Sequence, residues 1–303
     1  NMNALELRGL TKHYKDFTLG PLDLTLPGGT ICGLIGENGA GKSTTIKLIL
    51  DMVQRDGGTV TILGRDSRTD LVHTKEEIGV VLGSDGIPLC LNAVEVGKVM
   101  AGIYRNWDAG DYTAFCRKFD LPPDKKYKDY SAGMQRKLCI AVALSHHAKL
   151  LLLDEATNGL DPVVRQLLKK LIAGEVADRG MTVLIASHNL RELEDFCDTI
   201  ALLHRGGVLL EKELDSLRLG IHRIQAVFLD MPELPKMKEK IDIVSWERSG
   251  SVLSFVARGE LEEILGALEQ FGPQFQEAVP LSLEEVFISE MEAAGYDINN
   301  IVG

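Results

Sequence analysis

The segment Gly36-Glu37-Asn38-Gly39-Ala40-Gly41-Lys42-Ser43-Thr44 constrains this chain more than any other. It fits G-x-x-x-x-G-K-[ST] and stands between an apolar run, residues 30–35, and a helical pattern, which is the strand-loop-helix context that gives the motif its meaning. Glycines let the backbone curl with its N–H groups pointing inward, and the helix that follows aims the positive end of its dipole at the same point. Such a loop cradles phosphates. Lys42 is placed to reach the outer phosphates and the Ser43 hydroxyl to ligate Mg²⁺, with Glu37, Asn38, Gly39, Ala40, Gly41 and Thr44 completing the cradle.

A second signal is Leu150-Leu151-Leu152-Leu153-Asp154-Glu155, an apolar strand that ends in two carboxylates. Alternation along a strand turns successive side chains to opposite sides, so the pair can take separate tasks. Asp154 is expected to hold the Mg²⁺ shell, and Glu155 to face the terminal phosphate and polarise the attacking water.

Around these motifs, short apolar runs bounded by Gly, Pro or Asp alternate with helical patterns, the mark of an α/β domain. Runs at 30–35, 78–82, 150–153, 182–186 and 200–203 are apolar on both faces, as parallel strands between helix layers are. Residues 5–7 and 22–26 alternate instead and predict an antiparallel edge. No strand pattern interrupts residues 84–129, where helices are expected at 93–104 and 111–119. With the helix at 134–146, this makes a helical subdomain over about residues 84–145. After Arg218 the pattern changes to two alternating stretches, 222–229 and 251–257, a helix at 260–271, and a further helix opened by a capping box of Ser282 and Glu285. The expected organisation is a first domain over residues 2–218 and a small α+β domain over 219–303.

Tyr130-Ser131-Ala132-Gly133-Met134-Gln135 opens the 134–146 helix, with Ser131 lying 23 residues before Asp154. By order and spacing of these motifs the chain resembles the ATP-binding cassette ATPases, whose signature L-S-G-G-Q occupies this place. The resemblance covers about residues 4–215 and implies a P-loop NTPase cassette that binds ATP and Mg²⁺. In that family the signature residues, here Ser131, Ala132, Gly133 and Met134, cover the γ-phosphate held by a second copy of the subunit. Asn158-Gly159-Leu160-Asp161 resembles the D-loop that crosses this dimer interface. His188, 34 residues past Asp154, matches the histidine that bonds the γ-phosphate and holds water and Glu155 in place. Tyr14 matches the aromatic that stacks on adenine. The resemblance thus implies catalytic roles for Lys42, Glu155 and His188, and metal ligation by Ser43 and Asp154.

Three departures from the family pattern stand out. Gly83 occupies the position of the usual glutamine after the strand at 78–82, so that contact is absent or supplied by Asp85 or water. Ala132 and Met134 replace a glycine and a glutamine in the signature, and Ala156 replaces the proline after the acidic pair. None of them touches Lys42, Ser43, Asp154, Glu155 or His188, so an active ATPase is expected.

Composition narrows the partners. With 33 Lys and Arg against 44 Asp and Glu the formal charge is −11, which disfavours a nucleic acid held by a general basic surface. No apolar run approaches the roughly 20 residues that cross a bilayer, and the first residues lack the basic segment and apolar core of a signal peptide. The family resemblance therefore implies a separate membrane permease, contacted near residues 83–94, with the subunit at the cytoplasmic face of the membrane. The signature and the C-terminal extension resemble single-cassette bacterial exporters of antibiotics or amphipathic peptides. The alternative is a soluble cassette ATPase acting on ribosomes or nucleic acid; the 112-residue interval from Lys42 to Asp154, without sustained heptads, speaks against it. Cys32, Cys90, Cys116, Cys139 and Cys197, odd in number and widely spaced, read as small buried hydrophobes.

Overall fold

Strands apolar on both faces need cover above and below, and the arrangement of the chain follows from that demand. The computed structural model describes residues 2–69, 71–83, 86–194, 196–214 and 220–293. The chain divides into two units, Asn1–Glu211 and Lys212–Gly303, a few residues before the change of pattern at Arg218.

In chain order the first unit contains β1 (Asn3–His13), β2 (Thr18–Pro27), β3 (Ile31–Ile35), α1 (Lys42–Ile49), β4 (Gly57–Ile62), β5 (Arg65–Asp66), α2 (Leu71–Glu76) and β6 (Ile78–Leu82). Three helices follow, α3 (Ala93–Ile103), α4 (Ala109–Lys118) and α5 (Ala132–Leu144), before β7 (Leu150–Asp154), α6 (Pro162–Arg179), β8 (Thr182–Ser187), α7 (Leu190–Leu193), β9 (Thr199–His204) and β10 (Gly207–Glu213), whose last two residues fall past the boundary at Glu211. The central sheet runs β10-β9-β3-β8-β7-β6, with β3 parallel to both β8 and β9, and β7 parallel to both β6 and β8. Helix α1 packs on β7 and β8, and α5 on β6.

Strands β1 and β2 belong to a sheet of their own, β2-β1-β4-β5. Their alternating leucines, Leu5, Leu7, Leu10, Leu22, Leu24 and Leu26, join Leu34, Ile46, Leu152 and Leu184 in one buried cluster, so the two sheets share a core. Strand β4 was not legible in the sequence because it opens with Gly57-Gly58. The structure needs that glycine: Gly58 has φ +80°, and a β-carbon there would lie 2.3 Å from the Gly9 carbonyl oxygen.

Helix caps fix the insertion between β6 and β7. Asn92 and Glu95 form a reciprocal capping box at α3, and Asp108 caps α4. Among the described residues no helix is long and apolar enough to cross a membrane. Cys32, Cys139 and Cys197 are buried as expected, and burial pushes the Cys32 thiol up to about 12. Cys116 is half-buried and Cys90 is exposed, which corrects the reading of all five as buried.

The second unit contains β11 (Ile221–Val227), α8 (Leu234–Lys238), β12 (Asp242–Ser249), β13 (Val252–Arg258), α9 (Leu261–Glu269), β14 (Phe275–Val279) and α10 (Leu283–Ala293). Its sheet order is β12-β13-β11-β14, antiparallel throughout, so β13 lies between the two strands joined through α8. This is the split β-α-β, or ferredoxin-like, arrangement. Met237 of α8 and Ile264 and Leu268 of α9 pack on Ile224, Ala226, Leu253, Phe255 and Ala257.

Candidate active site

In an open parallel sheet, ligands bind beyond the carboxyl ends of the strands, where neighbouring strands lead to opposite sides. Here β3 lies between β8 and β9, and the register aligns the ends: Ile35 pairs with Ser187 and Leu202, and Asp154 pairs with Ala186 and Leu82. The phosphate loop, the acidic pair and His188 therefore leave the sheet side by side.

The loop from Gly36 to Gly41 is shaped by close packing. A β-carbon at Gly36 would lie 2.4 Å from the Leu203 carbonyl oxygen. At Gly41, with φ +109°, it would lie 2.4 Å from Leu19 Cδ1 and 3.1 Å from Phe17 Cζ. Gly41 caps α1, and Thr45 bonds back to the Gly41 carbonyl through both its amide and its hydroxyl. Asn38 and Gly39 are exposed at the tip, Ala40 is buried beneath it, and Ser43 and Thr44 lie in the first turn of the helix, Ser43 exposed and Thr44 half-buried.

Lys42 is buried and curls over the loop, its Nζ donating to the carbonyls of Gly36 at 2.6 Å and Glu37 at 3.1 Å. Burial holds the ammonium below its ordinary pKa, opposed by the charges of Glu155, Asp154 and Glu37. Its Nζ lies 3.9 Å from Glu155 Oε1. The Glu37 carboxylate is engaged elsewhere, 2.9 and 3.1 Å from Nδ1 of the largely buried His204. Glu37 thus offers the cradle its backbone rather than its side chain. The His204 contact had no signal in the sequence, because it joins residues 167 positions apart.

Asp154 is pushed above the usual carboxylate range by burial, and the Ser43 hydroxyl bonds to it. Its Oδ1 is buried without a hydrogen-bond partner among the described residues. A buried carboxylate oxygen left unpaired beside a serine hydroxyl is a hard oxygen donor set, the kind Mg²⁺ selects. These residues fit the ion that the loop chemistry implies.

Glu155 follows in a left-handed conformation, φ +50°, which strains a residue carrying a β-carbon. Asn158 Nδ2 donates to Oε2 at 2.7 Å, and His188 Nδ1 lies 3.0 Å from both carboxylate oxygens. Lys42, Glu155, Asn158 and His188 thus form one chain of charge and hydrogen bonds at the strand ends. Asn158 was read in the sequence only as part of the D-loop; the short turn from Glu155 makes it a partner of the carboxylate.

The signature residues sit apart from this cluster. Ser131 caps α5 by accepting from the Met134 amide at 3.3 Å, and Ser131 and Ala132 are exposed. Among the described residues no hydrogen bond joins residues 131–134 to the phosphate loop. Gly133 packs against the D-loop instead, where a β-carbon would lie 3.1 Å from the Gly159 carbonyl oxygen. Asp161 caps α6 through the Val164 amide at 3.0 Å, and that hydrogen bond holds its carboxyl below the usual range. Tyr14 is 45% exposed and stacks on Phe17 at 6.4 Å, the same Phe17 that bounds Gly41. Gly83 has φ +59° and open space around it, so no side chain projects from this position. Asp85, its proposed substitute, lies outside the described residues.

Comparison with known proteins places this site in a family. The ABC transporter family profile matches residues 19–158, from β2 through the acidic pair and into the D-loop. The lantibiotic transport ATP-binding protein SrtF of Streptococcus pyogenes is 36% identical over 219 residues, covering 70% of this chain and 92% of SrtF. The ABC transporter ATP-binding protein YtrB of Bacillus subtilis is 28% identical over 289 residues, 94% of this chain and 97% of YtrB, so its similarity extends through the second unit. Among solved structures, an ATP-binding subunit of an ABC transporter superposes with a TM-score of 0.66 at 27% identity, covering 71% of this chain and 92% of that one. With its phosphate loop, acidic strand end and signature helix in this order and on this fold, the chain belongs to the ABC transporter family as an ATP-binding, ATP-hydrolysing subunit.

Proposed function

We propose that two copies of this chain close around two MgATP molecules and that hydrolysis drives a separate membrane permease exporting a peptide or drug-like cargo. The convergence of Lys42, Glu155 and His188 beside the unpaired Asp154 oxygen carries the reading. Phosphoryl transfer to water requires positioning and charge neutralisation more than covalent chemistry. Lys42 would turn from the loop carbonyls to the β and γ phosphates, which are stronger acceptors. Mg²⁺, held through Ser43 and Asp154, would neutralise phosphate charge. Glu155 would polarise the attacking water while His188 and Asn158 hold its carboxylate, and Tyr14 would stack on the base. The helix start at the exposed Ser131 and the half-buried Gly133 would cover the γ-phosphate held by the other copy, since among the described residues no hydrogen bond ties it to its own loop.

A peptide or drug-like cargo is supported by the lantibiotic transport name of the SrtF relative. The permease would dock on the helical insertion. Within residues 83–94, Ile87 is buried, whereas Leu89 is 61% exposed. Val94, Val99 and Ile103 are exposed nearby on α3, and a cavity of about 270 Å³ opens between α3 and α4, lined by Val94, Ala101, Trp107 and Tyr112. Exposed apolar surface of this kind marks an interaction site. Such docking would place the subunit at the cytoplasmic face of the membrane. Purification from its own cells in detergent tests this: an integral membrane protein should accompany the chain and raise its ATP turnover. Association with RNA that is lost at high salt, with no membrane protein present, would overturn it.

A further inference from the structure

Arg136 lies on α5, just past the signature segment, yet its guanidinium reaches the catalytic turn of the same chain. Its Nη1 donates to the Glu155 carbonyl at 2.8 Å and to the Asn158 carbonyl. One nitrogen, with its two protons, therefore holds both ends of the turn that presents the carboxylate. One turn of helix earlier, Gly133 packs on Gly159 of that same segment, closely enough that a β-carbon would stand 3.1 Å from its carbonyl. The far side of the turn is anchored separately. The Thr157 hydroxyl donates to Glu192 Oε2 at 2.5 Å, and Arg165 donates to Glu192 Oε1 at 2.9 Å, with Thr157 and Glu192 both largely buried. A left-handed Glu155 persists only where its surroundings over-determine it, and these contacts do so.

We propose that Arg136 is a positioning residue that couples the signature helix to Glu155, so that nucleotide seated under one copy's signature segment sets the carboxylate of that copy's own site. The proposal rests on the two-copy reading above. With Thr157 fixed by Glu192, a shift of α5 is transmitted through Arg136 to the Glu155 and Asn158 carbonyls. It then reaches the Glu155 carboxylate through the Asn158 amide, which donates to it at 2.7 Å. The two composite sites would thereby be coupled within each chain as well as across the interface.

The test compares Arg136→Met and Arg136→Lys with the native chain in nucleotide binding, steady-state hydrolysis and thermal unfolding. Arg136→Met should lower kcat by about a hundredfold, as a misplacement on the order of 1 Å does, while nucleotide affinity of the isolated subunit stays within about twofold. The Hill coefficient for ATP should fall from about two toward one. Lysine retains a charged donor, so Arg136→Lys should recover part of kcat. Unchanged kcat and Hill coefficient in Arg136→Met would overturn the proposal. So would a loss of kcat matched by equal losses of nucleotide affinity and melting temperature, with no recovery in Arg136→Lys, because that pattern marks a purely structural contact. Light scattering on Glu155→Gln with native Arg136 separates the two ideas. If that protein stays single in MgATP, the two-copy reading fails and takes this one with it; if it pairs and the Arg136 variants still turn over natively, only the coupling fails.

Discussion

Replacing Glu155 by glutamine changes one oxygen for an amide nitrogen in a place where the structure defines the consequences. The carboxylate accepts from Asn158 Nδ2 at 2.7 Å and lies 3.0 Å from His188 Nδ1. Glutamine keeps the shape but has one acceptor oxygen, so one of these partners loses its bond or meets another donor. It also removes the charge 3.9 Å from Lys42, the largest of the influences that offset the lysine's burial. Lys42 keeps its carbonyl partners Gly36 and Glu37, and the phosphate cradle is otherwise backbone. Nucleotide binding should therefore survive. Removal of a positioned general base typically lowers a rate by about 10² to 10⁴, equivalent to roughly 3 to 5.5 kcal/mol in the barrier. Steady-state phosphate release should fall in that range, and equilibrium binding of ATP should remain within about threefold. Turnover of Glu155→Gln within about threefold of native would refute the assignment of the base, whatever happens to binding.

Three further outcomes follow from packing and charge. Gly36→Ala places a β-carbon 2.4 Å from the Leu203 carbonyl oxygen and 2.9 Å from Ala40 Cβ; it should cost about 1 to 3 kcal/mol of stability and weaken ATP binding. Gly39→Ala, which meets no atom within 4 Å and suffers only its φ of +86°, should do so less, and titration of both variants with a fluorescent nucleotide checks the order. Because burial raises the Asp154 carboxyl, the folded chain holds that proton more tightly than the unfolded one, so its charge destabilises the fold once pH rises above the ordinary carboxylate range. Without added metal, Asp154→Asn should therefore raise the melting temperature at pH 7 by about a few degrees and lose that advantage near pH 4; with magnesium and ATP added, it should abolish hydrolysis. In the second unit, Ser282→Ala removes the hydroxyl that accepts from the Glu285 amide at 3.3 Å and donates to the Glu285 carboxylate at 3.0 Å, and calorimetry should show a loss of about 1 kcal/mol.

What the sequence disclosed depended on how local each determinant is. The phosphate loop, the acidic strand end and the Ser131 cap are each written in consecutive residues, and the strand register brings the first two together once β3, β7 and β8 pair. The alternating leucines of β1 and β2 were legible as antiparallel strands, but their sheet was not, because its third strand opens on two glycines. In the second unit β11 and β13 announce themselves by alternation. Strands β12 and β14 do not, because most of their residues are exposed edge positions and carry polar side chains as freely as apolar ones. The contacts that tune the site were hidden for a different reason. Arg136 on Glu155, Glu192 on Thr157 and His204 on Glu37 join residues 19, 35 and 167 positions apart, and pattern along a chain carries no record of such meetings.

The most direct measurement is the molar mass of Glu155→Gln in solution, taken by light scattering with ATP and magnesium and again with ADP. A chain of 33.2 kDa that lends its Ser131 helix start to another copy should double in mass with ATP and return to the single value with ADP. A protein that binds ATP yet keeps the mass of one chain under both nucleotides would contradict the shared site.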